Sequence, residues 1–357
     1  EMSASLVGSE MCIRDRSGIT AVLAKALRPL FRKIMPEVPA DSPAMGSMIM
    51  NIAANVLGLD NAATPMGLKA MEQLQTLNPH KDRASDAQIL FMVINSSAVT
   101  LIPITILMYR SELGAANPSA VFMPILFATS LSTLAGFLAV AVVQRLNVFN
   151  RVVMAYLGGF ILFIGVVAFY FCSLPETERL SVSANCGNFL LFAVIVAFIG
   201  AGVVKKLNVY ETFVVGAKEG FEIAVRIIPY LVAMLVAIAV FRASGALDFL
   251  VEGFAAVFGW LGIDTGFVAA LPTALLKPLS GSGARAMMIE TMTTYGADSF
   301  PAFVSAVVQG STETTFYVLA VYFGAVKITK VGAALPCALF ADFVGIASAI
   351  CFSYLFY

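Results

Sequence analysis

The sequence is poor in charged residues. Only 12% of its 357 residues are charged and 59% are hydrophobic, with a mean hydropathy of +0.89. Soluble domains carry about 25% charged residues, so this composition predicts an integral membrane protein in contact with a lipid bilayer. Acidic and basic side chains number 22 each. Since the chain has no excess positive charge to attract phosphates, we expect no nucleic-acid partner.

Histidine and paired cysteines are also scarce. The single histidine, His80, has no nearby ligand set, and the five cysteines form no CxxC motif, so no metal site is predicted. The HExxH, GxSxG, P-loop and GxGxxG motifs are absent, and we predict no catalytic residue, no cofactor and no enzyme activity. Cys172 and Cys186 flank a predicted loop at residues 175–185. They would form a disulfide only in an oxidising compartment, and otherwise serve as small apolar side chains.

The N-terminal residues differ from the rest. Residues 1–16 read as translated sequencing adapter and lack the apolar run of a signal peptide, so we expect a non-native leader. Residues 19–35 place apolar and basic side chains at helical spacing. This pattern predicts an amphipathic helix, lying either at the membrane interface or on the protein's own surface.

Several apolar segments approach the roughly 20 residues that a spanning helix needs. They are residues 121–143, 152–174, 189–204 and 335–357. Residues 211–241 are predicted to form a helix that begins amphipathic and becomes apolar. Residues 249–261 are predicted to form a second interface helix. Basic residues near 144–150 and 205–211 predict that these loops of a multi-pass membrane protein face the cytoplasm.

Other apolar segments are interrupted. The helix at 44–59 is predicted to break at residues 60–65, with a new helix from Pro65 to about Leu77, and polar residues divide the segment 87–109. In the second half, breaks are predicted after residue 276 and between 309 and 316. Broken helices in corresponding places of two halves indicate a transporter binding site.

The two halves repeat one pattern. Gly67-Leu68-Lys69-Ala70-Met71 corresponds to Gly283-Ala284-Arg285-Ala286-Met287, and each is followed by a polar run, at residues 95–100 and at residues 310–315. The matched set predicts a site for a small polar solute. It comprises Asn61, Thr64, Lys69, Asn95, Ser96, Ser97, Thr100, Ser280, Ser282, Arg285, Glu290, Ser311, Thr312, Glu313, Thr314 and Thr315.

A structural role is the alternative for these residues. Arg285 would form a buried ion pair with a carboxylate, and the hydroxyls would bond helix carbonyls. The second run carries Glu313 where the first has Ala98. The acidic chemistry of a functional site would therefore belong to the second half.

Longer segments carry a family resemblance. Residues 43–71 are similar to spore maturation protein A, while residues 218–234, 278–284 and 310–318 are similar to spore maturation protein B. The chain thus resembles a fused form of the two, with the nucleoside-recognition gate domain in each half. The resemblance implies an all-α polytopic membrane protein with two gate-type repeats, discontinuous helices and interfacial amphipathic helices.

The same resemblance implies the domain organisation and cellular setting. Residues 17–148 would form the first repeat, N-terminally truncated because family members carry further helices before it, and residues 149–357 the second. The family is associated with the inner membrane and with core dehydration in spore formers.

Two functions remain open. The chain would act as a transporter or solute-permeation component, with a homo-oligomer as one arrangement. The alternative is a non-transporting scaffold that organises envelope or cortex enzymes through the loops around His80 or Glu219. A lipid- or peptidoglycan-modifying enzyme would need a nucleophile that no motif supplies.

Overall fold

The computed structural model describes residues 19–39, 41–58, 60–204, 206 and 208–357. The predicted leader, residues 1–16, lies outside these ranges. Throughout the described residues the regular secondary structure is helical, and one isolated bridge joins Arg83 to Lys330. The predicted all-α fold is confirmed.

The described helices of the first half end with one long helix. They are α1 (Ile19–Ile34), α2 (Pro43–Val56), α3 (Asp60–Leu77), α4 (Asp86–Ser96), α5 (Ile104–Glu112), a short 3₁₀ helix (Pro118–Val121) and α6 (Phe122–Val143). The interruption between α4 and α5 was predicted from the first polar run. The prediction of a discontinuous helix is confirmed there.

The second half repeats this arrangement after three long helices. Its elements are α7 (Arg151–Ser173), α8 (Glu176–Val204), α9 (Val209–Ala243), α10 (Ala246–Trp260), a 3₁₀ turn (Val268–Ala270), α11 (Leu271–Leu276), α12 (Gly281–Tyr295), α13 (Phe300–Ser311), α14 (Thr315–Ala325) and α15 (Ala334–Phe356). The breaks between α11 and α12 and between α13 and α14 were both predicted.

One predicted break lies elsewhere. We expected Pro65 to begin a helix, but α3 begins at Asp60 and contains this proline. The chain turns at Gly58 instead, which has φ +68°, and a Cβ there would overlap the carbonyl of Ile102. Glycine permits both the left-handed backbone and this close approach, so the turn forms before the proline is reached.

The predicted loop at residues 175–185 is wrong. Helix α8 already begins at Glu176, and Glu176 and Glu178 lie in its first turn, where carboxylates stabilise a helix N-terminus. Cys172 and Cys186 consequently lie on different helices, and both thiols are free. This arrangement favours their use as small apolar side chains.

Helices α6 and α15 form the centre of the molecule and run antiparallel. Phe127, near the start of α6, contacts Phe352, near the end of α15, at a ring-centroid distance of 5.0 Å. One apolar cluster surrounds each end of the pair. Between the clusters lies a buried polar layer, formed by Thr129, Ser130, Ser132, Ser311, Thr312, Thr315 and Asp342.

The outer helices have the surface that lipid contact requires. Among the residues that the structure describes, four segments are long and apolar enough to cross a membrane: Pro118–Val143, Arg151–Ser173, Glu176–Val204 and Ala334–Phe356. Only 6% of the second segment's most apolar stretch is buried. In α1, Phe31 and Ile34 are buried while Arg32 and Lys33 are exposed, as expected for an amphipathic helix.

Candidate functional site

The two polar runs meet in space. The backbone N–H of Glu313 donates to the carbonyl of Ser96 at 2.8 Å, which joins the break of the second half directly to that of the first. The Thr133 hydroxyl donates to the carbonyl of Ser97, and the N–H of Thr100 donates to the Thr129 hydroxyl at 3.4 Å. Helix α6 therefore satisfies backbone groups that the broken helix leaves free, as a break at membrane depth requires.

Small residues allow this junction to close. An ideal Cβ on Gly345 of α15 would lie 2.6 Å from the Thr312 methyl carbon, and a Cβ on Gly281 would lie 2.7 Å from the Thr314 hydroxyl. Both distances are below van der Waals contact. Glycine at these two positions therefore lets α12 and α15 approach the second polar run.

A cleft of about 90 Å³ opens at the junction. It is bounded by the α4–α5 break, by the first turn of α12 and by the second polar run. Its polar or charged lining residues are Thr100, Thr105, Tyr109, Lys277, Arg285, Gln309, Thr312, Glu313 and Thr314. The cleft thus draws side chains from both halves of the chain.

Polar atoms in this lining are left without hydrogen bonds inside the described part of the protein. The Nε of Arg285 and the Oε1 of Gln309 are buried and make no such bond. Only 7% of the Gln309 residue is exposed, so water has little access to its side chain. A buried donor or acceptor left unpaired costs about 1–3 kcal/mol. A polar molecule that gained access to these atoms would offset that cost by pairing with them.

The charges of the cleft are mixed. Lys277, which is buried at the end of α11, and Arg285 are cationic, whereas Glu313 is anionic. Ser280 caps α12 by accepting from the Gly283 N–H at 3.1 Å, so the helix begins beside the cleft at Gly281. A helix N-terminus adds partial positive charge. The described lining therefore suits a solute that carries hydrogen-bond acceptors or negative charge.

A second polar cluster lies beside the first polar run. Asn95 donates from Nδ2 to Oδ1 of Asn51 at 2.5 Å, while the Asn51 amide donates to the Ala63 carbonyl at 2.7 Å and to the Tyr322 hydroxyl at 3.1 Å. These bonds connect α2, α3, α4 and α14. Since the donors and acceptors bond one another, this cluster fixes helix positions.

The loops of the two halves are also joined at the surface. Lys330 donates from Nζ to the Asp82 carboxylate at 2.8 Å, and the backbone N–H of Lys330 donates to the Asp82 carbonyl at 3.0 Å. The ammonium group lowers the pKa of the Asp82 carboxyl. Both side chains are exposed, so the pair is a minor contribution to stability.

The structure brings together only part of the predicted site. Five predicted residues line the cleft, namely Thr100, Arg285, Thr312, Glu313 and Thr314. The hydroxyls of Ser96, Ser97 and Ser311 instead bond carbonyls of their own helices, as the structural alternative holds. Thr315 is buried beside the cleft, whereas Ser280 and Ser282 face each other at 3.3 Å at the start of α12.

Other predicted residues lie apart from the cleft. Glu290 bonds Arg242 of α9 and the Thr294 hydroxyl. Lys69 is exposed on α3, Thr64 is half-buried, and the side chain of Asn61 lies outside the described residues. The first half thus supplies the cleft mainly through the α4–α5 break.

Four polar or charged cleft residues were not predicted from the sequence: Thr105, Tyr109, Lys277 and Gln309. Lys277 lies in the predicted break before α12, and its charge beside Pro278 was the available signal. Gln309 ends the apolar stretch that precedes the second polar run. In the described ranges no group of three His, Cys, Asp or Glu side chains is placed to hold a metal ion.

The helical fold, the apolar spans and the joined breaks define an α-helical membrane protein built from two matched segments. The Gate family profile, described as nucleoside recognition, matches residues 6–116 and 224–329, together more than half of the chain. The chain therefore belongs to the Gate family.

Two relatives cover different proportions of the chain. It is 52% identical to spore maturation protein B of Bacillus subtilis (strain 168) over 149 residues, which are 42% of this chain and 82% of that protein. It is 40% identical to spore maturation protein A of the same strain over 122 residues, which are 34% of this chain and 62% of that protein, less than two thirds of its length. Similarity to both supports the fused arrangement. No solved structure matches the chain.

Proposed function

We propose that this protein is a multi-pass inner-membrane transporter or solute-permeation component whose central cleft binds a small polar solute. The observation that carries the proposal is the set of buried, unbonded polar atoms that line the cleft, on Arg285 and Gln309. Polar groups inside a membrane are costly and usually mark a solute or ion path. The joined helix breaks place these groups where both halves contribute.

The charge pattern supports recognition of the solute within the cleft. Lys277, Arg285 and the start of α12 offer positive charge, and Glu313 offers a single carboxylate from the second polar run. The description of the Gate profile as nucleoside recognition agrees with a polar solute, but it does not identify the solute of this protein. The chain carries no enzyme motif that would compete with this function, so we infer that it is not an enzyme.

Flux through proteoliposomes that contain the full chain tests the proposal. Glu313→Gln and Arg285→Gln should each lower the flux of a transported solute about tenfold or more, because a charged hydrogen bond contributes about 1.5–3 kcal/mol. Glu290→Gln is the matched control, since Glu290 lies on the same helix as Arg285 but bonds Arg242 away from the cleft. Unchanged flux in both cleft variants, across a broad panel of solutes, would refute the proposal.

The scaffold function is favoured by one observation. Helix α10 exposes large apolar side chains, including Phe249 at 77% and Trp260 at 86%, which would suit partner helices as well as lipid or a second copy of the chain. Pull-down from native membranes separates the two functions. A partner that is retained by Glu313→Gln, with no flux in any variant, supports the scaffold.

A further inference from the structure

The central helix α15 carries one buried carboxyl group that does not line the cleft, that of Asp342. Asp342 of α15 is 1% exposed and lies in the buried polar layer. Its carboxyl group faces the hydroxyls of Thr312 and Thr315. Neither its two oxygens nor these hydroxyls make a hydrogen bond of ordinary geometry with a described residue. A carboxylate at this depth is costly, which makes Asp342 a candidate for a functional residue.

The charged surroundings of Asp342 are simple in the described part of the chain. Helices α6, α13 and α14, which pack against α15, contain no Asp, Glu, Lys or Arg. The charges of α4 and α8, the other packed helices, are confined to their first turns, at Asp86, Glu176, Glu178 and Arg179. The remaining titratable groups on these helices and on α15 are Tyr317, Tyr322, Cys186, Cys337, Cys351 and Tyr354, and Glu313 lies in the break between α13 and α14. Lys277 is the cation that acts on Asp342.

Lys277 connects this carboxyl group to the cleft. It lines the cleft, and it is a cation close enough to Asp342 to interact with it electrostatically. Thr312 likewise lines the cleft and faces Asp342 from the same break between α13 and α14. The Thr312 side chain thus separates Asp342 from the cleft. A charged solute that contacts Lys277 changes the electric field at the Asp342 carboxyl group.

We propose that Asp342 is a proton-binding carboxyl group coupled to the cleft, taking up one proton when an anionic group of the solute binds beside Lys277. This inference rests on the proposed function for its solute. The solute's negative charge offsets the field of Lys277, which favours neutralisation of the buried carboxylate. The protonated acid then has an O–H that donates to the Thr312 or Thr315 hydroxyl. One negative charge and one proton enter together, so the local charge stays constant.

Infrared difference spectroscopy of the full chain in liposomes tests the proton site without any knowledge of the solute. Lowering the pH between about 9 and about 5 should produce a carboxylic-acid C=O band from a buried group. Asp342→Asn should abolish that band. Asp248→Asn, which removes an exposed carboxylate of α10, should retain it. A wild-type spectrum without the band, or a band that survives Asp342→Asn, would overturn the inference.

Two further measurements test the coupling to the cleft. Lys277→Gln should move the midpoint of the band to higher pH by about one unit, because a nearby cation favours the carboxylate. Acetate, used as a simple anionic probe, should raise the midpoint in the wild type and have no effect in Lys277→Gln. An unmoved midpoint in both experiments overturns the coupling. Absent flux together with a normal band would refute the proposed transport function while leaving the proton site intact.

Discussion

The contact between α15 and the second polar run makes a strong prediction about Gly345. An alanine Cβ at this position would lie 2.6 Å from the Thr312 methyl carbon and 3.0 Å from the Ser132 Cβ. Carbon atoms in favourable contact lie about 3.5–4.0 Å apart, so a displacement of about 1 Å is required. Thr312 belongs to the backbone break and Ser132 donates to the Ala341 carbonyl at 3.0 Å, so neither side chain moves freely.

The expected sign of the effect distinguishes packing from helix propensity. Overpacking of a buried site costs about 1–3 kcal/mol, whereas glycine to alanine inside a helix gains up to about 1 kcal/mol. We therefore expect Gly345→Ala to lower the free energy of unfolding by about 1–2 kcal/mol. Thr312→Ser removes the methyl carbon and keeps the hydroxyl, so the double variant should recover a large part of the loss.

Unfolding by a denaturing detergent in mixed micelles measures these differences. Gly158→Ala is the matched control, because Gly158 lies inside α7 and no atom is within 4 Å of its ideal Cβ. This control should be unchanged or slightly stabilised. Close packing at the junction is refuted if Gly345→Ala is as stable as the wild type, or if Thr312→Ser restores none of the lost stability.

Three other regions give predictions. Tyr322→Phe removes an acceptor of the Asn51 amide and should lower unfolding free energy by about 1 kcal/mol, with the same detergent assay as the measure. Arg110→Met should lower the free energy of unfolding by about 1–3 kcal/mol in that assay, since the buried guanidinium donates to two backbone carbonyls. Asp82 has a lowered pKa, so its pairing with Lys330 is present above the unfolded carboxyl's pKa and is lost as pH falls through the folded value. The amide protection factors of the two joined loops, which are exchange rates corrected for their intrinsic pH dependence, should fall over that acidic range in the wild type, whereas Asp82→Asn should lack this step.

The broken helices could be predicted because their causes are local. Three polar residues within an apolar stretch, such as Asn95, Ser96 and Ser97, mark a break wherever the rest of the chain lies. The turn before α3 could not be placed in the same way. It depends on Gly58 meeting the carbonyl of Ile102, a contact that exists only after α4 and α5 have packed.

The composition of the cleft was harder to predict than its location. Arg285 and Glu290 are close in sequence, but five residues rotate a helix by about 140°, so they face different neighbours. Arg285 lines the cleft and Glu290 meets Arg242. Gln309 ends an apolar stretch and gave no signal by spacing. The direction of a helix face depends on tertiary packing, which the order of residues does not reveal directly.

The bonds that join the two halves have a consequence for synthesis in the cell. Asn51 and Tyr322, which are hydrogen-bonded, are 271 residues apart in sequence. The Ser96 carbonyl likewise accepts a hydrogen bond from the N–H of Glu313 in the second half. These two bonds therefore cannot form until the second half of the chain has been synthesised. Contacts of such sequence separation fold slowly and expose intermediates to misassembly. Fusion of the halves in one polypeptide keeps the second half at high local concentration near the first. The helices of the first half therefore pack first against the second half of their own chain.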